Sequence, residues 1–301
     1  MRLTFEKALQ KYEAFMTRCY FSEDTIEHKK LFYGVFSEWL SENHQEFYQD
    51  LRAIDTRILD DFLDFLVLKH LEPSTMRLYM SYLKVFFSYL LREDLITVDP
   101  TRKFVSLRIP KKEVDFISHA EVLKTLDEMF FKDVKRRDYN VAMRDYFMIR
   151  TAYVTGWRAC ESLACDPTED IDWETGEIYL PKEKGGGDGY VYLDSETCRK
   201  LKEWYFFNYP NGKRLWYSMR GTKKGMPLTY DGYYQVFKKY FSKGPHRLRA
   251  SFATYLFEND VDIKVIQELM RHESISSTMK YVARVRSKIK QVHQQKNPFS
   301  R

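Results

Sequence analysis

Between His246 and Tyr281 the sequence gathers side chains that suit binding an anion and attacking it: His246-Arg247-Leu248-Arg249, then Arg271-His272, then Tyr281. Imidazole and guanidinium groups supply donors and positive charge for non-bridging oxygens, and a hydroxyl beside them is a nucleophile. That combination is phosphate chemistry. Three upstream residues fit it. Arg158 follows the helix-ending Thr155-Gly156 closely, with Glu161 three residues later as a carboxylate to hold the guanidinium or a neighbouring helix. An arginine fork grips two oxygens of one phosphate together, which a lysine does not. Lys184 sits at the edge of Gly185-Gly186-Gly187-Asp188-Gly189, where a compact ammonium can approach a leaving oxygen.

These groups must be positioned by helices and one hairpin. Gly244-Pro245 opens a run in which Leu248, Phe252, Ala253, Leu256 and Phe257 recur at helical spacing, so the region reads as an amphipathic helix with Pro245 in its first turn. His246 and Arg249, at i and i+3, then share a face near its N-terminus, where free N–H groups already favour an anion. Asp262 to Met270 forms the next helix, on the stripe Ile263, Ile266 and Leu269, and His272 lies just past its end. Ser276-Ser277-Thr278 is read as the cap of a short helix carrying Tyr281. Further upstream, Ser118-x-x-Glu121 has the form of a capping box ahead of Val122, Leu123 and Leu126, and a second helix runs from about Val141 to Val154. Glu177 to Leu180 and Tyr190 to Leu193 alternate apolar and outward residues around the glycine-rich turn, which is a hairpin signal.

Residues 1–101 read as helices throughout: Phe5, Leu9, Tyr12 and Phe15 mark one, Thr25 to Leu40 a second, Ile58 to Leu68 behind the cap Asp55 a third, and Met76 to Leu91 a fourth. Residues 102–115, with Pro110-Lys111-Lys112, read as an extended basic linker, and 116–301 as a second, mixed α/β domain with a C-terminal tail. The expected fold is mainly α with one small β-hairpin. On the last N-terminal helix Arg77, Lys84 and Arg92 recur at seven and eight residues, a face that serves equally as a phosphate-contacting or a solvated surface.

Composition agrees with a polyanion as partner. The net charge is +6, unevenly spread: residues 1–110 hold 15 Lys and Arg against 17 Asp and Glu, and the remainder 34 against 26. Cys19, Cys160, Cys165 and Cys198 lack the spacing of a zinc site and read as reduced thiols. No apolar leader or run of about 18 apolar residues marks secretion or membrane insertion, so a cytoplasmic protein without a membrane partner is expected. A two-metal phosphate site would need carboxylates clustered beside His246, Arg249 and His272, and the sequence places none there. No metal and no cofactor are expected.

Taken together, Thr155-Gly156-Trp157-Arg158-x-x-Glu161, Lys184-Gly185, His246-x-Leu248-Arg249, His272 and Tyr281 resemble, in order and spacing, the active-site motifs of the tyrosine recombinase (phage integrase) family. Residues 1–101 are similar to that family's helical core-binding domain, so the resemblance spans nearly the whole chain. It implies two domains clamped around duplex DNA, with Tyr281 attacking the scissile phosphate to give a 3′-phosphotyrosyl bond and a free 5′-hydroxyl. By the same resemblance Arg158 and Arg249 hold the non-bridging oxygens, His246 is the base, Lys184 the general acid and His272 a further donor. Glu161 is supporting. The implied partners are paired DNA sites, a homo- or hetero-tetramer of recombinase, and an activating DNA translocase or accessory protein.

The sequence departs from the family in two places. Met270-Arg271 stands where Leu-Gly is usual, so the glycine's tight turn is made another way or Arg271 adds a phosphate contact; Ala250 replaces a frequent histidine. The chain starts close to the core-binding domain, which leaves no room for an arm-binding domain and is similar to Xer resolvases, simple invertases and compact transposon integrases. Xer-like resolution is the favoured role, with a mobile-element integrase or invertase as the alternative. From other classes, a non-cleaving DNA-binding accessory or regulator and a type IB topoisomerase share parts of the pattern.

Overall fold

The computed structural model describes residues 2–105, 107, 115–131, 138–181 and 188–282, without the side chains of Phe130, Phe131, Tyr281 and Val282. It divides into two compact units, Met1–Lys111 and Lys112–Arg301.

The first unit is helical, as its periodicity requires. Helices α1 (Phe5–Arg18), α2 (Glu23–Asn43), α4 (Thr56–Leu68) and α5 (Pro73–Arg92) match the four sequence stripes, and a short α3 (Gln45–Gln49) lies between α2 and α4. Asp55 caps α4 by accepting from the N–H groups of Arg57 and Ile58. The core is aromatic: Phe86, fully buried, has ring partners Phe5, Tyr12, Tyr33 and Phe87 at 5.8, 5.4, 5.2 and 5.4 Å. The unit continues past Asp99-Pro100 into what reads as linker. Asp99 accepts from the Thr101 N–H and hydroxyl, Pro100–Lys103 form a 3-10 turn, and Phe104 buries in the same core.

The second unit is built around α7 (Tyr139–Thr155), which is buried over most of its length. Against it pack α6 (His119–Phe131), whose Glu121 N–H is capped by Ser118 Oγ, and α11 (Pro245–Glu258), which turns Leu248 and Ala253 inward. Strands β1 (Glu177–Leu180) and β2 (Gly189–Tyr192) pair antiparallel with Ile178 opposite Val191. Ile178, Leu180 and Val191 face the core, and Tyr179, Tyr190 and Tyr192 face outward, as period-two alternation demands. Helices α8 (Ala159–Ala164), α9 (Ser195–Asn208), α10 (Tyr230–Phe241), α12 (Ile263–Leu269) and α13 (Ile275–Val282) complete the unit. Among the described residues no helix is long and apolar enough to cross a membrane.

One sequence expectation fails here. Ser276, Ser277 and Thr278 are not a cap, because α13 starts at Ile275 and takes them into its first turn. Ser274 does that work: its hydroxyl accepts from the Ser276 N–H and its carbonyl from the Ser277 N–H. The serine-rich run offered several equivalent caps, and the chain's exit from α12 selected among them.

Truncating Phe86 to alanine removes the ring on which four aromatic neighbours close, and the expected loss is about 3–5 kcal/mol of unfolding free energy, measured by urea denaturation. A loss below about 1 kcal/mol would show that the aromatic cluster is not a packed core.

Candidate active site

The ends of helices α7, α8, α11 and α12 meet in one place. Helix α7 terminates at Gly156, whose φ of +59° is left-handed and whose missing Cβ leaves room for the Phe252 ring, 2.3 Å from where a Cβ would lie. That turn directs the Gly156 carbonyl to Arg249, which donates to it from Nη1 at 2.5 Å. Arg249 is buried on α11, and its Nη2 donates to the Met270 carbonyl at the end of α12.

Two residues beyond Gly156, Arg158 is the N-cap of α8. Its backbone N–H donates to Glu161 Oε2 at 2.5 Å, its Nη1 to Glu161 Oε1 at 2.7 Å, and its Nη2 to the Arg271 carbonyl at 3.2 Å. Glu161 therefore does what its three-residue spacing suggested, holding the Arg158 guanidinium. It also takes a second arginine, with Arg271 Nη2 donating to its Oε2 at 2.5 Å. Burial pushes the Glu161 carboxyl up, but Arg271 and the donors of Arg158 outweigh it, and the group stays below the usual glutamate value.

Arg271 itself occupies the left-handed region, with φ of +48°. The turn expected of a glycine is thus made by an arginine, at a cost on the order of 1 kcal/mol. Its side chain is buried on Glu161. Next to it, His272 Nδ1 lies 2.9 Å from the Thr278 hydroxyl, and the Gln267 side-chain amide donates to the His272 carbonyl. Thr278 was legible in the sequence only as a helix cap; no local signal announced its contact with His272.

The two histidines are neutral at pH 7. Desolvation first, then the charges of Arg249, Arg158, Lys280 and Arg271, push His272 down to about 4. His246, near the start of α11, keeps an exposed surface, yet desolvation of its ring and the proximity of Arg249, Arg158 and Arg247 lower it below the usual histidine value. Two guanidinium groups thus share one carboxylate while a third, Arg249, is held by main-chain carbonyls, leaving an excess of positive charge beside two imidazoles whose neutral form is favoured. Among the described residues no group of three or more His, Cys, Asp or Glu side chains converges as metal ligands.

Lys184 falls outside the described residues, as does the tail beyond Val282; Tyr281 is in the last turn of α13, its side chain outside the description. In the first unit Lys84 is exposed on α5, as is Arg77, whose Nη2 donates to the Leu107 carbonyl at 2.8 Å. Arg92 is engaged by the Phe15 ring and Glu93.

Comparison with known proteins agrees with this geometry. Residues 126–287 match the phage integrase family. Tyrosine recombinase XerD of Ralstonia nicotianae is 26% identical over 275 residues, covering 88% of this chain and 85% of its own. XerC of Lactobacillus delbrueckii subsp. bulgaricus is 30% identical over 225 residues, covering 70% and 72%. In fold, the Tn1549 transposon integrase, solved in complex with a circular intermediate DNA, superposes with a TM-score of 0.72 at 17% identity, over 94% of this chain and 99% of that one. With a family match over more than half of its length and recombinase relatives over most of it, the chain is a tyrosine recombinase, an enzyme that cleaves and rejoins DNA. The chain belongs to the phage integrase family.

In an NMR titration the His272 imidazole is expected to change charge near pH 4, well below free histidine at about 6.5. Because the unfolded chain then takes up a proton that the folded one refuses, His272 lowers stability progressively as pH falls from about 6.5 towards 4, and His272→Gln flattens that slope. A midpoint above 6 would contradict the arrangement.

Proposed function

We propose that the chain is a site-specific recombinase that cleaves duplex DNA through a 3′-phosphotyrosyl bond to Tyr281, in an Xer-like resolution of paired sites. The observation that carries this reading is the seating of Arg158 on Glu161 and the Arg271 carbonyl beside Arg249 on the carbonyls of Gly156 and Met270. A phosphodiester carries one negative charge and its pentacoordinate transition state two. Guanidinium groups fixed in advance stabilise the added charge without reorganising.

In this reading Tyr281 Oη forms a bond to phosphorus as the bond to the 5′-oxygen breaks. A tyrosine with an unperturbed pKa of about 10 needs a base at neutral pH. His246, held neutral by desolvation and three arginines, has the protonation state to accept that proton. Lys184 donates to the departing 5′-oxygen. His272, its Nδ1 2.9 Å from the Thr278 hydroxyl, is the further donor to a non-bridging oxygen in the tautomer that carries its proton on Nε2. One phosphoester replaces another, and a 5′-hydroxyl from the partner strand reverses the step, so no cofactor or ATP enters.

The first unit acts as the core-binding domain and closes with the second around the duplex, Arg77 and Lys84 meeting its backbone. Four protomers assemble on two sites, each competent in strand exchange. The XerD and XerC relatives favour resolution over integration or inversion, and their match over most of the chain favours an enzyme over a non-cleaving accessory protein. An activating translocase or accessory protein is accommodated by this reading.

Incubation with nicked duplexes from the native locus is expected to yield a covalent protein–DNA band on denaturing gels that carries a 5′-end label and is absent in Tyr281→Phe. A band that survives Tyr281→Phe, or the absence of any band while DNA is still retarded on native gels, would overturn the reading. Arg158→Ala and Arg249→Ala are each expected to slow cleavage by about a hundredfold or more, read in single-turnover assays. Sedimentation with paired sites is expected to show tetramers on DNA, and monomers alone would refute the synapse.

A further inference from the structure

We propose that Arg271 is a positioning residue for strand cleavage, clamping Arg158 through Glu161 and through its own carbonyl. The inference rests on the reading of Arg158 as a phosphate-binding group. Residue 271 reaches Arg158 by two routes. Its main-chain carbonyl accepts from Arg158 Nη2 at 3.2 Å, and its guanidinium donates from Nη2 at 2.5 Å to Glu161 Oε2, while Oε1 of the same carboxylate accepts from Arg158 Nη1. The preceding carbonyl, of Met270, holds Arg249. Consecutive peptide units of one turn thus aim both site arginines, and the side chain in the middle of that turn locks the carboxylate between them.

The burial of Arg271 makes the lock stiff. The residue is 6% exposed, and neither its Nε nor its Nη1 has a hydrogen-bond partner among the described residues. Among the described residues Glu161 is the carboxylate that compensates this charge withdrawn from water, so Arg271 cannot swing away without leaving its guanidinium buried and unpaired and Glu161 with Arg158 alone. The aliphatic stem is confined from the other side. A Cβ added at Gly189 on β2 would sit 3.2 Å from Arg271 Cδ, so the hairpin backbone passes against it, and a side chain at 189 would press on the lock. A surface arginine tolerated in a turn would show none of these contacts.

The position also separates backbone from side chain. At φ +48° glycine is relaxed, so Arg271→Gly keeps the turn and its carbonyl and removes only the clamp. Arg271→Met keeps the stem against Gly189 and removes the charge. The charged groups that act on Glu161 are Arg158, from the N-cap of its own helix, and Arg271, from the turn; Cys160 acts on Arg271, and Arg249 and Arg158 act on His246 and His272. Without Arg271 the carboxylate loses its largest stabilising charge and protonates at higher pH, so the acid limb of the cleavage profile moves up.

The test is single-turnover cleavage of a nicked duplex at saturating DNA across pH, with affinity and thermal melting measured on the same proteins. Both variants are expected to bind DNA as the parent does and to cleave about tenfold or more slowly at pH 7. Their acid limbs are expected at higher pH, and the added change Glu161→Gln is expected to abolish that displacement. Either variant, folded by its melting curve, cleaving at the parental rate with the parental profile would overturn the inference. Failure of the parent itself to form a Tyr281-dependent covalent complex would instead strike the proposed function.

Discussion

Like charges do not collect by themselves, and the second unit of this protein holds three guanidinium groups, of Arg158, Arg249 and Arg271, where the ends of its helices meet. Among the described residues their mutual repulsion is met by the buried carboxylate of Glu161 and by main-chain carbonyls of Gly156, Met270 and Arg271. Carbonyls are suited to this, since they offer partial negative charge without a full anion that would cancel the field needed at phosphate. The result is a site with its arginines oriented and a net positive charge left over.

Those carbonyls are available because the site is made of helix ends. The last turn of a helix leaves carbonyls without internal partners, and α7 and α12 both end here, through left-handed residues that swing the terminal peptide units inward. The same field fixes the protonation of the imidazoles. Desolvation and surrounding cations favour the neutral form of His246 and His272, which suits a base and a hydrogen-bond donor in a site whose charge comes from arginine.

The glycine turn before the third-motif histidine illustrates how one position is read differently at the two levels. From sequence, Arg271 posed a choice between a turn made another way and an extra phosphate contact. In the structure the arginine adopts the glycine conformation and directs its side chain to Glu161. The alternatives were open because φ at a single residue depends on what the ends of that segment are packed against, here α11 on one side and β2 on the other.

Sequence alone determined what is local and periodic. The helical stripes of α1, α2, α4, α5 and α11, the caps at Asp55 and Ser118, the glycine end of α7 and the facing of Ile178 and Val191 follow from spacing, because side-chain direction repeats with the backbone that carries it. The residue types at 158, 246, 249, 272 and 281 raised phosphate chemistry as an expectation, because guanidinium and imidazole donors beside a hydroxyl suit an anion. Tertiary structure decided which of them share a partner. That Glu161 serves both Arg158 and Arg271, that Arg249 hangs on residues 93 and 21 positions away, that Thr278 faces His272 and that Phe104 belongs to the first core are all long-range or packing facts. Such contacts form only when distant helix ends are brought together by burial, and no periodicity in the chain records them.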